Sequence, residues 1–277
     1  MESHRRNSII QSRGYRVTTK MSIEEQIFIP ARDHLRVKQD ERETVIRSCR
    51  EITSYSKKAI FTLHRSVSDD TVTKELTQYL TVISEHLRKV NCIYVNNYHL
   101  RGSISGAVEE LIEFFTFAYY KRTGGLIKYE LFTQLINLVA DGDIDTVVRY
   151  LLNPEIEIPQ NDCLLIEFID KSDYIMGLFD CTGEIMRMVI SQSSDTSGEF
   201  QMTKTLQNYN FLKDLHEQYI ILTTYYPGVS IHHGAFDDVM NSKGNISFKK
   251  KLQVLESSLS KIQNTLLDIL ISDKEIL

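Results

Sequence analysis

The sequence predicts an all-α fold, a bundle of about seven long antiparallel helices. Apolar residues recur every three or four positions along most of the 277 residues, which is the spacing of one face of an α-helix. The alternation of apolar and polar residues that marks a half-buried strand is absent, and only four prolines interrupt the helical pattern. Because 42% of the residues are hydrophobic and 25% are charged, we expect a soluble globular protein with a sizeable core.

Residues 1–24 are predicted to be a disordered basic tail, and residues 25–277 an all-α domain. The first twenty residues carry five basic side chains and one glutamate, a net charge of +4, which leaves −9 on the rest of the chain. The tail is interpreted as a solvated terminus, with nucleic-acid binding or a nuclear address as alternatives. The acidic body argues against a protein that coats nucleic acid by itself, so a nuclease of this charge would need basic surface from a partner.

The first four helices are predicted from apolar stripes and from start and stop signals. The first runs over about 25–65, and Ser68 followed by two aspartates marks the start of the second. The third covers about 98–121 and is broken by a pair of glycines, and the fourth covers about 126–139. Four helices are therefore expected in the first half of the chain.

The second half begins with a short predicted helix at about 144–152, and longer helices are expected at about 170–192 and 200–224. Gly183 lies inside the first long helix. Because glycine disfavours a helix by roughly 1 kcal/mol relative to alanine, Gly183 indicates close packing by a neighbouring helix. Over residues 248–269 apolar positions alternate at spacings of four and three, which predicts a final helix that forms a seam, either within the bundle or between chains.

Two pairs of acidic residues interrupt the apolar stripes of the predicted helices. Glu110 and Glu113 are three residues apart, and Asp180 and Glu184 are four apart, so each pair shares one helix face with Cβ atoms roughly 5–6 Å apart. Carboxylates in such apolar surroundings must be paired or must ligate a metal. Four of them on two helices could form an oxygen-rich site for a hard divalent cation. A solvated helix face or buried salt bridges are the alternatives.

Several other kinds of site lack their motifs. A di-iron bundle needs Glu-x-x-His on two helices, and neither such a set nor a phosphate loop of the Walker type occurs. The four scattered cysteines are interpreted as reduced thiols and not as zinc ligands. The segment Tyr98-His-Leu-Arg101 precedes the first acidic pair, and it either contacts a single-stranded nucleic-acid backbone or is an ordinary helix start.

Four segments of the sequence resemble the family of translin and translin-associated factor X. The resemblance spans about residues 26–270 in collinear order, and its third segment is the most specific. The segments are Arg50–Arg65 (REITSYSKKAIFTLHR), Glu110–Phe117 (ELIEFFTF), Asp173–Met188 (DYIMGLFDCTGEIMRM) and Lys251–Ile262 (KLQVLESSLSKI). The full acidic set favours the associated-factor branch, since translin lacks it. Glu109 departs from the family pattern, which usually has glutamine there, and residues 141–170 show little similarity.

The resemblance implies a fold of about seven helices and assembly with translin into a hollow hetero-octamer. It implies a magnesium-dependent endoribonuclease, with manganese as an alternative ion, that cleaves single-stranded RNA. Passenger-strand removal in RNA silencing and processing of tRNA fragments are its implied roles. Single-stranded DNA, bound with sequence specificity, is a further implied ligand, and the implied location is the cytoplasm and the nucleus. No apolar run approaches the roughly 18 residues that span a bilayer, so no membrane partner is expected.

The resemblance also implies roles for individual residues. Glu110, Glu113 and Asp180 match the catalytic carboxylates of the family and would hold the metal, with Glu184 as a further acidic ligand. His99 and Arg101 fall near a segment that binds nucleic acid in translin. With water as the nucleophile, the expected products carry 3′-hydroxyl and 5′-phosphate ends.

The competing hypothesis is a structural protein without catalytic activity. In it the acidic pairs are partners in buried salt bridges, and the chain stabilises translin and binds single-stranded nucleic acid. The two hypotheses differ in whether the four carboxylates converge on one cation.

Overall fold

The computed structural model describes residues 22–65, 68–158, 166–193, 199–225 and 243–275. All regular secondary structure in these ranges is helical, which confirms the predicted all-α fold. A π-helical turn, Glu24–Phe28, precedes the first α-helix, and a 3₁₀ turn, Tyr98–Leu100, precedes the third.

Eight α-helices lie in the described ranges, and seven of them are the long helices that the apolar spacing predicts. The eighth, α5, is the short helix expected near residue 144. The helices are α1 (Ile29–His64), α2 (Asp69–Tyr94), α3 (Arg101–Thr123), α4 (Tyr129–Asp141), α5 (Ile144–Leu152), α6 (Lys171–Ser193), α7 (Glu199–Tyr225) and α8 (Lys243–Glu275).

The predicted start and stop signals act through hydrogen bonds and backbone conformation. The Ser68 hydroxyl oxygen accepts a hydrogen bond from the Thr71 backbone N–H at 3.4 Å and caps α2. Gly124 and Gly142 end α3 and α4 with φ of +72° and +98°, the left-handed conformation that favours glycine. The helix boundaries at these positions are therefore encoded locally.

Helix α3 is the central helix of the core. It is buried on nearly all sides, and Phe114, Phe115 and Phe117 have no exposed surface. Its principal neighbour is α6, and α5 packs against it as well. A helix that is apolar all round belongs inside a bundle, so the carboxylates on α3 enter a largely water-free environment.

Helices α3 and α6 approach each other closely at Gly177. A Cβ atom at this position would lie 2.7 Å from the Cβ and Cγ2 atoms of Ile112 and 2.8 Å from the backbone oxygen of Glu109. The prediction that Gly183 marks the close contact is wrong, since a Cβ there would meet no other heavy atom of the described residues within 4 Å. The glycine that the packing requires is therefore six residues earlier in α6.

Helix α8 forms the predicted seam within the chain, because it packs against both α6 and α7. Its buried or half-buried apolar positions include Phe248, Leu252, Leu255, Leu259, Ile262, Leu266 and Ile269. The alternating spacing of four and three thus describes a contact inside the bundle. Other apolar side chains of α8 remain exposed.

The chain divides into two compact units, residues 1–41 and 42–277. Of the first, the structure describes residues 22–41, which are helical and mostly exposed. The second contains the buried core. Of the predicted disordered tail, residues 1–24, positions 1–21 lie outside the described residues.

Two further properties of the described residues bear on function. No described helix has both the length and the apolarity needed to cross a bilayer. Cys49, Cys92 and Cys181 carry free thiols, and Cys163 lies outside the described residues. These three thiols agree with their interpretation as reduced cysteines.

Replacing Gly177 with alanine should destabilise the protein by about 1–3 kcal/mol or more. The added methyl group meets backbone and a β-branched side chain, neither of which can move easily. Gly183→Ala is the matched control in the same helix. It should stabilise the protein by up to about 1 kcal/mol, because it adds helix propensity without a clash. Chemical denaturation measures both, and equal effects of the two substitutions would contradict the close approach.

Candidate functional site

The structure brings the four predicted carboxylates near one another where α3 packs against α6. Glu110 and Glu113 lie on α3, and Asp180 and Glu184 lie on α6. Glu113 is near enough to the other three for their negative charges to raise its pKa. The two acidic pairs therefore lie near each other, and their convergence on one cation stays a prediction.

Glu113 is the most buried carboxylate on α3, with 9% of its surface exposed. Burial, followed by the charges of Glu110, Asp180 and Glu184, raises the pKa of Glu113 to about 8. Among the described residues, no side chain or backbone group donates a hydrogen bond to it. The carboxyl is therefore largely protonated at neutral pH.

Lys57 of α1 pairs with Glu110. The Lys57 Nζ lies 3.0 Å from Glu110 Oε1, and the hydrogen bond and charge of Glu110 raise the pKa of Lys57. Burial raises the pKa of Glu110 in spite of the opposing effect of Lys57. The second oxygen, Glu110 Oε2, is buried and has no hydrogen-bond partner among the described residues. It is an acceptor without a donor inside the cluster.

Lys251 of α8 forms a second ammonium contact, at the base of the cluster. Its Nζ lies 2.7 Å from Asp180 Oδ2 and 2.6 Å from Glu109 Oε2, and it donates to the backbone oxygen of Met176 at 3.1 Å. Burial lowers the pKa of Lys251, but the charges of Asp180 and Glu109 outweigh burial and raise it. Burial raises the pKa of Asp180 against the effect of Lys251. Lys251 thus joins α8 to both α3 and α6.

Glu184 is held by two basic side chains. The imidazole Nε2 of His64 lies 2.7 Å from Glu184 Oε2, and Arg187 reaches the same oxygen from one turn along α6 at 3.0 Å. Glu184 and Arg187 are three residues apart in α6, a spacing that places both side chains on one helix face. The His64 ring also stacks on Phe117, with 4.6 Å between ring centroids, so the imidazole is fixed in orientation.

Three of the four carboxylates, those of Glu110, Glu113 and Glu184, line a cleft of about 610 Å³, and Asp180 is not among its lining residues. The cleft has an acidic side formed by Glu110, Glu113 and Glu184 and an apolar side formed by Ile60 and Phe61. Its lining residues are Lys57, Ile60, Phe61, His64, Glu110, Glu113, Glu184, Arg187 and Ser191. A cavity of this size is in the range of small-ligand sites.

The donor atoms of the cluster decide whether it can hold a hard cation. Carboxylate oxygens are the ligands that magnesium and manganese prefer, and Glu110 Oε2 and the Glu113 carboxylate have no competing donor. Within the described ranges, however, no three or more His, Cys, Asp or Glu side chains are arranged to hold a metal ion. The ammonium groups of Lys57 and Lys251 supply positive charge there instead. The donor chemistry thus suits the ion, and metal binding by Glu110, Glu113, Asp180 and Glu184 stays a prediction.

Lys57, His64 and Lys251 were missed by reasoning from the sequence. Lys57 and His64 are seven residues apart and therefore lie on one face of α1. All three fall within the segments that carry the family resemblance, which was the available signal. Their pairing with carboxylates more than fifty residues away required the tertiary structure.

The other two predicted site residues, His99 and Arg101, differ in their exposure to solvent. His99 is exposed in the 3₁₀ turn before α3. Arg101 is mostly buried, its guanidinium contacts the buried carboxylate of Asp173, and burial lowers the pKa of Arg101. Ser105 donates to the same carboxylate at 2.6 Å. Arg101 therefore ties the start of α3 to the start of α6, and nucleic-acid binding by His99 and Arg101 stays a prediction.

Comparison with known proteins identifies related sequences over most of the chain. The model of the Translin family matches residues 40–273. The Translin-associated protein X homolog of Schizosaccharomyces pombe is 26% identical over 251 residues, which cover 86% of this chain and 85% of that protein. Translin-associated protein X of Rattus norvegicus is 24% identical over 255 residues, which cover 87% and 77% of the two chains.

Two solved structures share the fold. The crystal structure of apo-NeC3PO has a TM-score of 0.57 at 10% identity, and that of AfC3PO has a TM-score of 0.53 at 16% identity. Each alignment covers 88% of this chain and 97% of the other. At these identities the likeness concerns the fold.

Glu113→Gln should stabilise the metal-free protein at pH 8 but not near pH 5. Because the folded pKa of Glu113 is about 8 and its ordinary value is 4.5, the folded state binds more protons between these values. The contribution of Glu113 to the free energy of unfolding therefore falls as pH rises through this window. Glu113→Gln should therefore raise the free energy of unfolding at pH 8 by a few kcal/mol at most. Thermal unfolding in EDTA at a series of pH values measures this difference in stability, and Glu130→Gln, which changes an exposed carboxylate, is the control. If the stability of wild type and of Glu113→Gln had the same dependence on pH, the raised pKa of Glu113 would be contradicted.

Arg101→Met should destabilise the protein by about 3–5 kcal/mol, because it leaves the buried Asp173 carboxylate without its charged partner. Arg122→Met is the matched control, since the Arg122–Asp69 pair lies at the surface with 3.3 Å between the charged atoms. It should change the free energy of unfolding by less than about 1 kcal/mol. Chemical denaturation compares the two variants. Equal losses in the free energy of unfolding would show that the Arg101–Asp173 pair stabilises the protein no more than a surface ion pair does.

Proposed function

This chain belongs to the translin family, and we propose that it is the catalytic subunit of a magnesium-dependent endoribonuclease that cleaves single-stranded RNA in complex with translin. The observation that carries the proposal is the carboxylate cluster of α3 and α6, which opens into the cleft beside α1. Family membership by itself supports the coarser role of nucleic-acid binding within a translin-type assembly.

Crowding of negative charge supports a cation at the cluster. Burial and three neighbouring carboxylates raise the pKa of Glu113 to about 8, because burial and repulsion by like charges disfavour its ionised form. Glu110, Glu113 and Asp180 would hold the ion, with Glu184 beside them. When bound, magnesium or manganese supplies Lewis-acid activation of the phosphodiester.

The remaining groups of the cleft suit a phosphate backbone. The side chains of Lys57 and Arg187 are 62% and 67% exposed, so both can reach a phosphate oxygen while they neutralise Glu110 and Glu184. His64 positions Glu184 through its 2.7 Å contact. These residues would orient the RNA against the carboxylates of α3 and α6.

Assembly with translin, as a hetero-octamer, is part of the proposal. Exposed apolar side chains on α8, among them Val254, Leu267 and Ile271, support an interface on this helix. The net charge of −5 also favours a partner that adds basic surface for RNA. Passenger-strand removal, tRNA-fragment processing and binding of single-stranded DNA remain proposed roles, and the cytoplasm and the nucleus the proposed location.

A non-catalytic scaffold is the second candidate, and a specific observation favours it. Glu110, Asp180 and Glu184 each have a basic partner within 3.0 Å. In that case the cluster stabilises the contact of α1, α3, α6 and α8 through salt bridges, and the chain contributes only structure to the complex.

Glu110→Gln, Glu113→Gln and Asp180→Asn should each lower RNA cleavage by the co-expressed complex at least about a hundredfold, and EDTA should abolish it. Each substitution removes a charged ligand of an ion whose stabilisation is worth several kcal/mol. The measurement is cleavage of a labelled single-stranded RNA, with analysis of the product ends.

The control is Glu130→Gln, which changes an exposed carboxylate in the first turn of α4. All variants should still co-purify with translin. Full activity in the three site variants, or cleavage that is insensitive to EDTA, would contradict metal-dependent cleavage at this cluster. A complex that assembles but never cuts would favour the scaffold.

A further inference from the structure

Phe61 is an aromatic side chain that the packing of the bundle does not use. It is 64% exposed, although Phe114, Phe115 and Phe117 of the neighbouring α3 are fully buried. Its ring lies on the wall of the cleft that contains Glu110 and Glu113. The exposed face of the ring is therefore available to a ligand that enters the cleft.

The ring is held in place from one side. The guanidinium of Arg65, the residue that follows the end of α1, lies 5.5 Å from the centroid of the Phe61 ring. Arg65 in turn contacts Glu75 of α2, which fixes the guanidinium. An aromatic ring with a fixed orientation and a large exposed area is suited to stacking.

The groups around Phe61 have the chemistry of a nucleotide site. Lys57 precedes Phe61 by four residues, so the two side chains are neighbours on one face of α1. Arg187 lines the same cleft from α6. The cleft therefore combines an apolar ring for a base with exposed cations for phosphates, beside the carboxylates.

We propose that Phe61 is a stacking platform for one base of single-stranded RNA and that it seats the adjoining phosphate at the carboxylate cluster. This inference rests on the proposed function, of which it names a substrate-positioning residue. Since every base has a π-face, the stack tolerates any sequence. Phe61 acts through binding and not through the chemical step.

The test uses the full chain co-purified with translin, with Glu113→Gln in every sample so that RNA is not cut. Fluorescence anisotropy measures binding of a labelled single-stranded RNA. Phe61→Ala should weaken binding about tenfold, as expected for the loss of one base–aromatic stack. Phe61→Tyr should restore the affinity for RNA. With a 2-aminopurine base in the RNA, the fluorescence quenching that accompanies stacking should be lost only in the Phe61→Ala complex.

Leu206→Ala is the control, because Leu206 on α7 is also an exposed apolar side chain and is not among the residues that line the cleft. It should leave RNA affinity unchanged. Tyr98→Ala tests the competing position, because Tyr98 is 60% exposed but lines a different cavity. Weaker binding with Tyr98→Ala and unchanged binding with Phe61→Ala would overturn the inference and place the RNA at the turn before α3. Loss of translin from the Phe61→Ala complex, with RNA affinity unchanged, would overturn it in favour of a protein contact.

Kinetics without the Glu113→Gln background separate this inference from the proposed function. If the complex cuts RNA, Phe61→Ala should raise KM about tenfold with little change in kcat. Cleavage with an unchanged KM would overturn the stacking role and leave the nuclease standing. Absence of cleavage, together with a tenfold loss of binding in Phe61→Ala, would support the platform while the nuclease proposal fails.

Discussion

The close approach of α3 and α6 at Gly177 is the constraint on which the candidate site depends. With no Cβ at this position, the backbone of α6 comes into contact with Ile112 and with the backbone of Glu109. Glu110 and Asp180 lie one turn or less from this contact, so the short distance between the helices brings their carboxylates together. A larger residue at position 177 would separate the acidic pairs as well as the helices.

Bringing four carboxylates together in a buried place is unfavourable unless positive charge accompanies them. The protein supplies this charge from two further helices, with Lys57 on α1 and Lys251 on α8. Glu113 has no such partner among the described residues, and its pKa rises to about 8 as a consequence. The site is thus a balance of charges contributed by four helices.

The same balance accounts for both candidate functions. A scaffold would use the ion pairs only to join helices, whereas a nuclease would use the remaining acceptors, Glu110 Oε2 and the Glu113 carboxylate, for a cation. The cleft favours the nuclease, because buried ion pairs in a scaffold do not require an opening of about 610 Å³ lined by exposed Lys57, Phe61 and Arg187.

The helical fold, most helix boundaries and the two acidic pairs could be predicted from the sequence, because helical periodicity, capping residues and spacings of three or four act within one helix. The tertiary structure was needed to identify the glycine that permits close packing and the contact of Arg101 with Asp173. It was also needed to show that Lys57 and Lys251 pair with carboxylates and that His64 contacts Glu184. These contacts join residues far apart in the chain. They depend on the angle and distance at which helices pack, which no local pattern encodes.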